Sequence, residues 1–178
     1  MSMVDTYLES ARFEFKRYKT LGDKTFEQLD DDQLLHRRNE GDNSIAQIVK
    51  HMAGNMLSRW TDFLHSDGEK PWRHRDTEFE HPPQNKPEVI ALWEKGWDCL
   101  FSALSELDES NFDTTVYIRN EPHSIVAAIN RQIAHYANHV GQIVILGKQL
   151  KGDAWQSLSV LKGGSKAFNQ RLFGSKGS

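Results

Sequence analysis

The sequence predicts an all-α protein, a four-helix bundle with a long crossover connection between helices two and three. Apolar residues recur every three or four positions in four separate stretches, which is the period of amphipathic helices. The longest connection, residues 66–86, carries Pro71, Pro82 and Pro83 and has no helical period. Four long amphipathic helices in 178 residues make a single-domain bundle the expected architecture.

The first two helices have recognisable limits. Helix one is predicted over residues 4–29, with Gly22 as the place where it could bend. The polar residues 30–42 are predicted to be a connection that holds at most a turn of helix. Helix two is expected to begin at Ser44, because Gln47 three positions later completes a capping box, and to end near residue 65.

The second half of the chain predicts two more helices and an extended connector. Pro87 suits the first position of helix three, which is expected to end before residues 108–111. Residues 114–118 are β-prone, but no second strong strand is available to pair with them, so we expect an extended connector. Helix four is predicted from about residue 122 to residue 150, with Gly152 as its stop.

The bundle domain is predicted to cover residues 1–162, and residues 163–178 to form a short helix and a frayed tail. Trp155, Leu158 and Leu161 are expected to pack back on the bundle. The short helix is predicted around residues 167–172, before the frayed residues 174–178.

Composition excludes several functional classes. A net charge of -3 gives no broad basic surface, so nucleic acid is not an expected partner. No run approaches the roughly 20 apolar residues of a membrane span, and the N-terminus lacks the pattern of a secretory signal. Cys99 is the only cysteine, which rules out an intramolecular disulfide and a thiolate metal cage. We therefore expect a soluble, cytoplasmic protein with no membrane partner.

Two histidines four residues apart raise the question of a metal site. His135 and His139 share one face of helix four, beside its apolar stripe and between Gln132 and Gln142. Imidazoles at this spacing can bind one metal ion, as in helical zinc sites. The alternative is two half-buried histidines whose ring nitrogens are satisfied by hydrogen bonds. The spacing alone favours that alternative.

A catalytic site would need a third protein ligand from another helix. His51 is the best placed, because it lies within a confidently predicted helix. Its position on that helix argues against it, since Gln47, Asn55 and Asp62 share its face and predict a solvated surface. The other candidates are His36, His65, His74, His81 and His123.

Arginines in the long connection suggest a second kind of site. Arg73 and Arg75, flanked by Trp72 and Phe79, could clamp an anionic substrate, although the pattern favours a solvated charged loop. The chain shows no serine-histidine-acid order, no glycine-rich phosphate loop and no paired Glu-x-x-His motif. Trp60, Trp93 and Trp97 recur at core spacing and are predicted to be packing residues.

Two stretches of the sequence together resemble the DinB/YfiT-like superfamily of small bacterial four-helix proteins, in an uncharacterised branch. They are Ile48-Val-Lys-His-Met-Ala-Gly-Asn55 and His135-Tyr-Ala-Asn-His-Val-Gly-Gln-Ile143. The resemblance covers about residues 4–150. In that superfamily a histidine of the second helix and an HxxxH pair of the last long helix bind a divalent metal. The resemblance therefore implies a metal triad of His51, His135 and His139, and a cleft beside the polar face of helix two.

The resemblance also implies a function and partners. Some members are thiol-dependent transferases, and dimers are common. The expectation is therefore a metal-dependent enzyme, a thiol-dependent transferase or a hydrolase, that forms a homodimer. Imidazole nitrogen favours zinc, nickel, copper or iron over magnesium or calcium, and zinc or nickel is the expected cofactor. The candidates for contacts with a small-molecule substrate, such as a low-molecular-weight thiol, are Asn55, Arg59, Arg73, Arg75 and Gln142. The alternative is a non-catalytic dimeric bundle that holds a structural metal or none.

Overall fold

A computed structural model describes residues 1–161 and 163–174. It is mostly helical and contains one small antiparallel sheet. The helices are α1 (Met3–Glu27), α2 (Asp31–Leu35), α3 (Ile45–Trp60), α4 (Lys86–Ser105), α5 (Ile125–Lys151) and α6 (Ser165–Gly174). Strands β1 (Thr115–Ile118) and β2 (Glu121–Ser124) lie between α4 and α5. Single 3₁₀ turns occur at Asp76–Glu78 and Gly152–Ala154. Predicted helices one to four correspond to α1, α3, α4 and α5.

The four long helices pack on one another around an aromatic centre. The most extensive packing is between α3 and α4 and between α1 and α5, and α5 also contacts α3. Phe15 meets the rings of Trp60, Trp97 and Tyr136 at centroid distances of 6.0, 6.3 and 6.0 Å. Trp60, Trp93 and Trp97 are all buried, which confirms them as packing residues.

The predicted capping box begins α3. Ser44 Oγ accepts a hydrogen bond from the backbone amide of Gln47, and Gln47 Oε1 accepts one from the backbone amide of Ser44. At the start of α5, the Ser124 side chain accepts a hydrogen bond from the amide of Ala127, without the reciprocal bond. The α1 helix runs through Gly22, where a Cβ would overlap the ring of Trp93. Gly22 therefore allows close packing on α4 and does not interrupt the helix.

The helix α3 ends at Trp60, earlier than the predicted stop near residue 65. Thr61 takes an extended conformation, and Asp62 follows with φ of 50° in the left-handed region. A backbone in that region cannot continue a right-handed helix. The long connection therefore covers residues 61–85.

The expectation of an isolated extended connector at residues 114–118 is wrong, because β1 pairs with β2 in an antiparallel hairpin. The turn residues Arg119 and Asn120 have φ of 56° and 61°, as a type I′ turn requires. Asp67 accepts both of their amide N–H groups, at 2.8 and 2.7 Å. Pro122 fits in β2 because the carbonyl of its pair partner, Tyr117, accepts from the Gly68 amide on the other side of β1.

The C-terminal residues partly match the prediction. Trp155 and Leu158 are half-buried against the helices, while Leu161 is exposed. Where a short helix was expected around residues 167–172, the structure has α6, Ser165–Gly174. Of the residues predicted to be frayed, 174–178, Gly174 is the last residue of α6, and residues 175–178 lie outside the described residues, as does Lys162. Over the described ranges, no helix combines the length and the apolarity that a membrane span requires.

Candidate metal centre

His51 lies on α3 and is buried, with 4% of its surface exposed. The helical period placed it on a solvated polar face, and that interpretation is wrong. Gln47 and Asn55, which share this face, are buried as well. The face is covered by the long connection, so its polar side chains lie inside the protein.

Hydrogen bonds tie the connection to α3 along its length. Gln47 Nε2 donates to the carbonyl of Phe79 at 2.6 Å, and Lys50 Nζ donates to the carbonyls of Thr77 and His81 at 2.6 and 2.8 Å. Near the other end of the connection, Ser58 Oγ donates to the carbonyl of Gly68 at 2.7 Å. The Phe79 ring stacks on His51 at a centroid distance of 5.1 Å. These bonds hold the connection in place as the wall of a site around His51.

The three histidines meet between α3 and α5. The His51 ring lies 4.9 Å from that of His139 and 5.7 Å from that of His135, between centroids, and the two α5 rings are 4.6 Å apart. One ring nitrogen from each histidine can be chosen so that all three lie within 4.8 Å of one another. This spacing would let a single metal ion contact all three.

A buried carboxylate orients His51. Glu78 Oε2 lies 2.7 Å from His51 Nδ1, and Arg73 Nε donates to Glu78 Oε1 at 2.8 Å. Burial raises the pKa of Glu78, but the hydrogen bonds from His51 and Arg73 outweigh it and hold the pKa below its ordinary value. Because an ionised carboxylate can only accept, Nδ1 of His51 carries a proton, so Nε2 is the nitrogen of the neutral ring that can bind a metal. Carboxylate–histidine pairs of this kind support metal-binding histidines.

Gly54, one turn along α3 from His51, makes room for this carboxylate. A Cβ at residue 54 would overlap the Glu78 side chain. Glycine in a helix interior costs about 1 kcal/mol relative to alanine, so its presence here has a packing reason. The absence of a side chain at this position lets the connection approach α3 closely enough for the His51–Glu78 contact.

The two histidines of α5 also have free nitrogens. Gln142 Oε1 lies 3.2 Å from Nδ1 of His139 and accepts a hydrogen bond from its N–H, which leaves Nε2 of His139 free. His135 Nε2 is buried and has no hydrogen-bond partner among the described residues. A buried nitrogen without a partner costs about 1–3 kcal/mol of folding free energy, and a bound metal ion would supply the missing partner. The donor set therefore fits a metal that prefers imidazole nitrogen.

The α5 histidines are held in the neutral form that metal ligands require. Burial, with the charges of His139 and His51, lowers the pKa of His135 to about 4. Burial and the charge of His51 also lower the pKa of His139, against the opposing hydrogen bond from Gln142. Both imidazoles are therefore unprotonated at pH 7.

The candidate substrate residues fall into different environments. Tyr136 Oη donates to Asn55 Oδ1 at 2.9 Å, so this oxygen is occupied. Arg59 is buried and donates to the carbonyl of Gly68 and to Glu69 Oε2. Arg73 is engaged by Glu78, whereas Arg75 is exposed. Their contact with a substrate remains a prediction.

A cavity of 450 Å³ lies beside the triad. Two of the three histidines, His51 and His135, line it, whereas His139 and its hydrogen-bond partner Gln142 do not. The remaining residues of its wall are Asn55, Arg59, Arg73, Arg75, Arg119, Arg131, Gln132 and Ala134.

Sequence reasoning missed several residues of this site, namely Glu78, Gly54, Arg119 and Arg131. Gln132 was noted only as part of the polar seam on helix four. The one available signal was the unusual length of the connection, because long structureless connections are often functional. Nothing in the local sequence distinguishes Glu78 from the other acidic residues of that connection.

Comparison with curated proteins finds no match to this chain. A family model described as a protein of unknown function, DUF1572, matches residues 2–164, and this range includes all three histidines and Glu78. The match covers most of the chain, and the chain therefore belongs to the DUF1572 family.

Proposed function

We propose that this protein is a divalent-metal-dependent enzyme that acts on a small molecule through His51, His135 and His139. The observation that carries the proposal is the convergence of three imidazoles whose ligand atoms lie within 4.8 Å of one another. Its support includes the Glu78 contact to His51 and the unpartnered Nε2 of His135. Zinc or nickel is the proposed metal, because both suit imidazole nitrogen.

The proposal favours a catalytic over a structural metal. Structural zinc sites usually have four protein ligands, and the described residues bring together only three histidines here. His51 and His135 also line a cavity large enough for a small molecule. A site with an open position beside a cavity is the arrangement that a catalytic metal needs.

A divalent cation on three neutral imidazoles would lower the pKa of a water or thiol bound to it, and so supply a nucleophile at neutral pH. The protein's own residues prepare the site for this chemistry. Glu78 fixes the tautomer and orientation of His51, and Gln142 does the same for His139. The connection and Phe79 shield His51 from bulk water.

The reaction class that we propose is transfer of a low-molecular-weight thiol to an electrophile, or hydrolysis. We also place the chain in the DinB-like superfamily, with its long helices as a four-helix bundle, and propose a cytoplasmic homodimer. Exposed apolar side chains on α1 and α5, Phe13 and Ile145, support a dimer. Sedimentation analysis tests it, and a monomer at all concentrations would contradict it.

Turnover tests the catalytic part of the proposal. The metal-loaded protein is incubated with small thiols and alkylating electrophiles, and with ester and amide substrates for hydrolysis. We expect a rate that disappears on metal removal, returns on metal addition and is absent in His139→Ala. His65→Ala, an exposed histidine outside the triad, should keep the rate.

Cobalt substitution provides an independent readout. The visible spectrum of bound Co²⁺ should change when azide or a thiol is added, because the proposal includes an open coordination position. A spectrum that no added ligand alters, combined with no turnover, would favour a structural metal in a non-catalytic dimer.

A further inference from the structure

We propose that the cavity beside the three histidines binds an anionic group, a carboxylate or a phosphate, of a small molecule. The claim that this molecule is the substrate rests on the proposed function. The claim that the cavity binds an anion rests only on the residues that line it, and it can be tested on metal-free protein.

The cavity wall carries an excess of positive charge. Five arginines line it, Arg59, Arg73, Arg75, Arg119 and Arg131. Only two carboxylates of the described residues form ion pairs with them. Glu69 pairs with three of the five, and Glu78 pairs with Arg73. The chain as a whole has a net charge of -3, so this concentration of positive charge is local.

Two of these arginines have no ion-pair partner within the described ranges. Arg75 precedes the 3₁₀ turn of the connection, and Arg131 lies on α5, one turn before His135. Both are exposed, so each guanidinium can turn toward a ligand without a loss of core packing. Guanidinium groups bind carboxylates and phosphates through paired hydrogen bonds, which makes these two the anion-binding side chains of the cavity.

Gln132 gives independent evidence for a ligand. Its side chain lines the same cavity and is buried, with 3% of its surface exposed. Its Oε1 is buried and has no hydrogen-bond partner among the described residues. Buried polar atoms in folded proteins are nearly always paired, so an unpaired one beside a cavity points to a bound group that completes it. A ligand with a hydroxyl or amine donor near its anionic group would do so.

The size and position of the cavity identify the kind of ligand. A volume of 450 Å³ fits a small molecule and excludes a nucleic-acid strand. His51 and His135 belong to the same wall, so an anion held by Arg75 and Arg131 would keep the adjoining atoms of that molecule beside the histidines. Positioning of this kind is a large part of what enzymes contribute to rate.

Calorimetric titration of metal-free protein tests the proposal, with inorganic phosphate and malonate as probes and uncharged dimethyl malonate as the negative control. We expect at least one of the two anions to bind and dimethyl malonate not to bind. Arg75→Gln and Arg131→Gln should each weaken binding at least about tenfold, because each removes a charge-assisted contact. The matched control Arg37→Gln removes an exposed arginine outside the cavity and should change nothing.

The variants should fold, because the replaced side chains are exposed, and circular dichroism checks this directly. Stronger binding of phosphate than of malonate identifies a phosphate site, and the reverse identifies a carboxylate site. The proposal is overturned if neither anion binds, or if an anion that binds the native protein binds undiminished to the Arg75→Gln, Arg131→Gln double variant.

Failure of this inference can be told apart from failure of the proposed function. Anion binding is measured without metal, and metal binding is measured without anion. Metal that binds His51, His135 and His139 with no anion binding would refute only the anion site. Anion binding without metal binding would refute only the metal-dependent enzyme.

Discussion

Replacement of Glu78 by glutamine tests whether the buried carboxylate prepares His51 for a metal. Glutamine has nearly the same shape but no charge, and its one oxygen cannot keep both the contact of Oε2 with His51 Nδ1 and the contact of Oε1 with Arg73 Nε. Loss of a hydrogen-bond partner behind a metal ligand typically weakens metal affinity 10- to 100-fold. We therefore expect Glu78→Gln to cost about 1.4–2.8 kcal/mol of Zn²⁺ binding.

The same change should also destabilise the metal-free protein. The side chains of Glu78 and Arg73 are 7% and 3% exposed, so Glu78→Gln leaves a buried guanidinium without its main partner. Removal of one member of a buried pair costs about 3–5 kcal/mol. Glu69 Oε1, 4.0 Å from Arg73 Nη1, retains part of the attraction, so we expect a loss of about 3 kcal/mol.

Two assays separate these effects. Zn²⁺ affinity is measured by competition with a chromophoric chelator, and the free energy of unfolding by urea titration of the metal-free protein. Glu80→Gln, an exposed change in the same connection, is the control and should leave both quantities unchanged. A Zn²⁺ affinity of Glu78→Gln within twofold of the native value would refute the role given to this carboxylate.

Three further predictions concern pH, packing and the hairpin. Because folding lowers the pKa of His135 from 6.5 to about 4, the unfolded chain binds a proton in that window that the folded chain does not. The free energy of unfolding of the metal-free protein should therefore fall as pH falls through this window, and His135→Ala should show a smaller fall in urea titrations. Gly54→Ala should lower both the melting temperature and Zn²⁺ affinity, because its Cβ would overlap Glu78, whereas Gly141→Ala has open space and should gain about 1 kcal/mol. Asp67→Ala should release the turn of the hairpin, which hydrogen exchange would detect as faster exchange of the two turn amides, and unchanged protection would contradict this.

The helices were predictable because their signals are local. The capping box of Ser44 and Gln47 is complete within four residues, and both of its hydrogen bonds form as predicted. The spacing of His135 and His139 likewise places both on one face of α5, where the structure has them. Signals contained within one helical turn do not depend on where the rest of the chain lies.

The environment of His51 was not predictable, because it depends on contacts that are distant in sequence. Glu78 lies 27 residues after His51, and no periodic pattern specifies that the connection folds back on α3. The hairpin was not predicted for the same reason. Its second strand, Glu-Pro-His-Ser, has little β propensity, and its turn is stabilised by Asp67, 52 residues before Arg119.

The central claim is that His51, His135 and His139 bind one divalent metal ion. The most direct test is the metal content of the protein purified without a histidine tag, measured by mass spectrometry for the native chain and for the three alanine variants of these histidines. We predict about one zinc or nickel ion per native chain, and a large loss of metal in each variant, while His65→Ala keeps the native content. Absence of metal from the native protein even after incubation with Zn²⁺ or Ni²⁺, or equal metal content in all variants, would contradict the claim.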